Sequence, residues 1–160
     1  MRIALDLTDN FSVELGETRE ELIYKLDENK IDYTIPFDKT LDELDKSNRA
    51  VKETIISIKE FGIEISIHND IVVYIKERTG KNTTIYKISD NKQCSASDIV
   101  KVIGIIADKF NVSSSNISIE NLNMKNLDTI IVIRDDNKNI RVHLRMTIDR
   151  SVYISTVRYV

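Results

Sequence analysis

The chain has 160 residues, 41% of them apolar and 31% charged, a net charge of −3 and one cysteine, Cys94. That is enough chain for one globular domain with a real core, and the lone cysteine excludes an internal disulfide and, with only two histidines, a sulfur-rich zinc site. The acidic balance speaks against a dedicated nucleic-acid binder, and no apolar run approaches the roughly 18 residues of a membrane span, so the expectation is a cytoplasmic protein without a signal segment.

Four glycines and one proline leave periodicity and polar turn clusters to mark the elements. "RIALDLT" alternates Ile3, Leu5 and Leu7 with Ala4 and Asp6, as a strand with one buried face does, and "FSVEL" reads as a second short strand. Thr18 and Glu21 form a capping box ahead of Leu22, Ile23 and Leu26, which predicts a helix over residues 17–28. Thr40 and Glu43 repeat that signature, and Leu41, Leu44, Val51, Ile55 and Ile58 follow at helical spacing. The expectation there is a long second helix, ended by Gly62.

Alternation then takes over. Ile63, Ile65 and Ile67, then "IVVYIKE", then "TTIYKIS" predict three antiparallel strands joined by short turns. Ser95 with Asp98 marks a third helix start, and Ile99, Val102, Ile103, Ile106 and Phe110 give that helix its apolar face. Strands follow at "NISIE", "DTIIVIR", "IRVHLRMTI" and "VYISTVRYV". The predicted fold class is α+β, helices packed on mostly antiparallel sheet, because each element has one apolar face to bury. A single domain over residues 1–160 is expected. Two pseudo-repeated halves, 1–92 and 93–160, each a helix followed by antiparallel strands, remain an open alternative to simple physical resemblance between amphipathic hairpins.

One stretch resembles a known family. "FSVELGETREELI", residues 11–23, is similar to the strand-Gly-x-Thr-helix opening of the SmpA and beta-lactamase-inhibitor-protein family. The resemblance implies a helical layer packed on an antiparallel sheet. It covers thirteen residues, the cysteine pairs of the secreted members are missing, and it assigns no functional residue.

Chemistry is sparse. Cys94 precedes the predicted third helix, where a helix N-terminus can lower a thiol pKa, but no histidine lies near it in sequence to act as a base. His68, in "SIHND", reads as a polar turn residue. A two-histidine phosphoesterase pattern fails, because Asp70 and Arg145 stand where each histidine would need a Ser or Thr two residues on. "LDELD" and "RDDNKN" read as a helix first turn and a solvated turn rather than cation sites. Gly-rich phosphate loops, HExxH and GxSxG are absent.

The segment 131–160 is the basic end of an acidic chain. In it Arg141, His143 and Arg145 alternate with Ile140, Val142, Leu144 and Met146, and a strand sets residues two apart about 6 to 7 Å from each other on one face. Those three predict a row able to hold a phosphate or carboxylate, with Tyr153 and Arg158 on the next strand; a merely solvated strand face is the competing reading. The expected function is a non-catalytic cytoplasmic binding protein of the inhibitor, immunity or phage or plasmid counter-defence type. It would sequester a protein partner or an anionic small molecule through Arg141, His143, Arg145, Tyr153 and Arg158, with no metal, cofactor, membrane or nucleic acid. Two alternatives stand: an enzyme acting on a phosphate-containing substrate, with His143 as acid or base and the arginines as clamps, and a structural homo-oligomer joined through edge strands.

Overall fold

The computed structural model describes residues 2–44, 50–89, 93–136 and 138–160, with the backbone alone for residues 40–44. The chain opens with a hairpin, β1 (Ala4–Thr8) and β2 (Phe11–Glu14), and a first helix, α1 (Arg19–Glu28). Four strands follow: β3 (Thr34–Leu44), β4 (Ala50–Ile58), β5 (Ile63–His68) and β6 (Ile71–Glu77). A short β7 (Thr84–Lys87) leads to α2 (Ala96–Phe110), and β8 (Ile117–Asn123), β9 (Asp128–Ile133), β10 (Ile140–Met146) and β11 (Ser151–Tyr159) complete the chain.

Both helices begin as the sequence predicts. The Thr18 and Ser95 side chains accept from the backbone N–H of Glu21 and Asp98, whose carboxylates return to the cap backbone. Each box satisfies two N–H groups that a helix start leaves without an intrahelical partner. Leu22 and Leu26 on α1, and Ile99, Val102, Ile106 and Phe110 on α2, are buried.

The predicted helix beginning at Thr40 does not form; two strands take its place, and residues 45–49 of it lie outside the described residues. Thr34–Leu44 and Ala50–Ile58 pair antiparallel, Lys39 opposite Glu53 and Thr40 opposite Lys52. The reason is local. Val51, Thr54, Ile55, Ile56 and Ile58 are β-branched and lose side-chain freedom in a helix but pack well on a pleated surface. Burial then falls on Thr54, Ile56 and Ile58, at a period of two. Gly62 does take the left-handed conformation expected of it (φ 62°), closing a single 3-10 turn at Lys59–Phe61.

Nine strands join in one sheet in the order β3-β4-β5-β6-β11-β10-β9-β8, with β7 also paired to β11, and β1-β2 form a separate ribbon. Apart from β7, the sheet consists of an antiparallel set β3–β6 that follows α1 and a set β8–β11 that follows α2, and the two sets meet at β6 and β11. Across six strands the register aligns Ile56, Ile65, Ile75, Val157, Val142 and Ile131, all 0% exposed. This row faces the helices and the β1-β2 ribbon and forms one continuous core with them. Burying each such side chain stabilises the fold by about 1.5–3 kcal/mol. Among the described residues, no helix is long and apolar enough to cross a membrane.

Candidate anion-binding site

With the helices on one side, the other face of the sheet carries the alternate side chains. Its central row runs Phe37, Ile55, Ser66, Tyr74, Arg158, Arg141, Val132 in register. Arg141, His143 and Arg145 lie on this face, because Ile140, Val142 and Leu144 between them are buried. Tyr153 is opposite Arg145 and Arg158 opposite Arg141, so all five residues singled out in the sequence share one face. They do not share one environment.

Arg141 is occupied. Its Nε and Nη2 donate to the two oxygens of Glu120 at 2.8 and 2.9 Å, the bidentate fork that an incoming carboxylate or phosphate would need. His143 meets the Asp128 carboxylate through Nε2. Arg145 is exposed, and the Tyr153 ring lies against Gly80, where an added Cβ would stand 3.0 Å from Cδ1 of the ring. None of these four residues lines the cleft that Arg158 borders.

Arg158 differs. It borders a cleft of about 470 Å³, together with Ser66, His68, Tyr74, Lys138 and Tyr159; Val73 and Val160 supply its aliphatic wall. The cleft exists because the pairing of β6 with β11 stops at Tyr74–Arg158. Beyond that point the Val72 backbone bonds instead to Gly16 and Glu17. Val73 is an extra residue between the pairs Ser66–Tyr74 and Ile67–Val72, a bulge that bends the strand edge at the cleft.

Three basic side chains and two tyrosines border this space, and among the described residues no carboxylate side chain lines it. Lys138 sits over the Tyr159 ring, its Nζ 4.6 Å from the centroid, which holds an ammonium in place without neutralising it. Among the described residues neither Lys138 nor Arg158 enters an ion pair. His68 has Glu53 on its far side, at 3.8 Å. Burial pushes the Tyr159 hydroxyl pKa up, with Asp135 and Glu14 adding to it, so the phenol stays protonated and can donate. Fixed donors and cations around a concave, partly apolar space form a surface complementary to an anion.

Of the residues that border this cleft, sequence reasoning singled out Arg158 but not Ser66, Tyr74, Lys138 and Tyr159, and read His68 as a turn residue. Their proximity depends on β6 pairing with β11, which no local pattern reveals. Elsewhere, Cys94 does not have the lowered pKa that a helix start can produce. Burial pushes it up, Asp98 adds to this, and Arg150 opposes it. Among the described residues no group of three or more histidine, cysteine or carboxylate side chains is placed to hold a metal ion. The side chains of "LDELD", residues 41–45, lie outside the described ones. Compared with known proteins, the chain matches no family model, no curated protein and no solved structure.

Proposed function

We propose that this protein is a non-catalytic, cytoplasmic anion-binding protein that sequesters its ligand in the cleft at the end of β11. The observation that carries this reading is the lining itself: Arg158, Lys138 and His68 beside Tyr74 and Tyr159, with no carboxylate side chain among them. The volume of about 470 Å³ falls in the range of small-molecule sites, roughly 300–1,000 Å³. An inhibitor, immunity or counter-defence role, in which capture of the ligand is the whole activity, is consistent with this site. The enzyme alternative has less support, because the proposed clamp Arg141 is engaged by Glu120 and the His143–Asp128 pair lies outside the cleft.

Calorimetric titration with pyrophosphate tests the assignment. Wild type is expected to bind saturably, Arg158→Ala to weaken binding about tenfold or more, as loss of a charge-assisted contact does, and Arg141→Ala with Arg145→Ala to leave it near wild type. Loss of binding in the Arg141/Arg145 variant with retention in Arg158→Ala would overturn the placement of the site.

A further inference from the structure

Two features of the cleft at the end of β11 are separate from its charge and bear on the class of ligand it takes. The first is Tyr74, half-buried on the outer face and flanked in register by Ser66 on β5 and Arg158 on β11. Cross-strand neighbours stand about 4.5–5.5 Å apart, so the phenol lies between a small hydroxyl side chain and an arginine side chain. The second is the division of labour between the tyrosines. Tyr159 already carries Lys138 over its ring, and Tyr74 is the other aromatic side chain that lines the cleft.

A cleft in which cationic side chains stand beside an aromatic ring matches a ligand with a flat ring and an anionic tail. The cation count limits the tail. Arg158 and Lys138 can balance one or two phosphate groups in part, whereas a nucleic-acid strand would require a basic stripe reaching well beyond the cleft. On the flanks, Arg141 is paired with Glu120, and Glu64, also on the outer face, is paired with Arg78. The chain as a whole carries −3. Resting on the reading of this cleft as an anion site, we propose that it binds a single nucleoside phosphate, the base stacked on Tyr74 and the phosphates held by Arg158 and Lys138, with His68 and Ser66 as further hydrogen-bonding partners.

The test compares affinities of the intact protein for ADP, GDP, UDP, pyrophosphate, ribose 5-phosphate and O-phosphotyrosine, read by calorimetry. The chain has six tyrosines and no tryptophan, so quenching of tyrosine fluorescence gives a second signal. At least one nucleoside diphosphate is expected to bind between about fivefold and a hundredfold more tightly than pyrophosphate, the span that one stacked base supplies. Tyr74→Ala is expected to erase that difference while leaving pyrophosphate binding in place, and Tyr74→Phe to preserve it. Because Tyr74 lies on the open face, unchanged circular dichroism of both variants would establish that they fold. Pyrophosphate binding as tightly as every nucleoside diphosphate would overturn the nucleotide assignment and leave the anion site standing. Tighter binding of O-phosphotyrosine than of any nucleotide would overturn it in favour of a phosphorylated side chain. No saturable binding of any of the six compounds would overturn both this proposal and the reading beneath it.

Discussion

Arg141 and Arg158 are neighbours in register on the same sheet face, yet one is a structural pair and the other borders a cleft. The difference is set by what stands beside each. Arg141 reaches across β9 to Glu120 on β8, while the strand next to Arg158 offers Tyr74 and Ser66. A double-mutant cycle on Arg141 and Glu120 is expected to give a coupling of about 0.2–1 kcal/mol, the value for a pair that remains partly solvated, measured by urea unfolding. Gly16 has a different role. Its φ of +90° is one that side-chain-bearing residues rarely adopt, and a Cβ there would stand 2.8 Å from the Tyr159 hydroxyl. Gly16→Ala is therefore expected to destabilise the protein by more than about 1 kcal/mol and, by displacing the ring under Lys138, to weaken pyrophosphate binding as well.

At the scale of elements, the helix starts set the pH response. The Ser95 backbone N–H and then the Tyr86 hydroxyl hold the Asp98 carboxyl below the usual carboxylate range. A carboxylate whose pKa is lowered by folding stabilises the native state above its unfolded pKa, near 3.9, and loses that contribution as pH falls through the folded value. Wild type should therefore be more stable than Asp98→Asn at pH 7, and the gap should close below about pH 4; chemical unfolding across that range measures it. Ser95→Ala should cost about 1 kcal/mol at neutral pH. These two helices were legible in the sequence because the capping box and the apolar stripe agree. Residues 40–58 were not, because Leu41, Leu44, Val51, Ile55 and Ile58 happen to fall at helical spacing. On the strand, Ile55 and Ile58 point to opposite faces, and the β-branched run was the stronger signal. The outer basic row of β10 was legible from alternation alone, but its ion pairs depend on Glu120 and Asp128, residues brought close only by strand pairing.

At the scale of the whole molecule, the seam between β6 and β11 serves both stability and the site. It joins two four-stranded sets through Ile75 and Val157 on the core side and through Tyr74 and Arg158 on the open side. Ile75→Ala should cost about 2–5 kcal/mol, as other large-to-small changes in a packed core do, seen as a lower urea midpoint at an unchanged slope. The seam also explains why the cleft was hidden from sequence reading. Its residues come from β5, β6, β11 and the segment before β10, and a one-residue shift at the Val73 bulge would turn side chains to the other face. The most direct test of the account is a map of amide chemical-shift changes on titration with pyrophosphate. The changes should cluster at Ser66, His68, Tyr74, Lys138 and Arg158 and saturate together. Changes centred on Arg141, His143 and Arg145, or none at all, would contradict it.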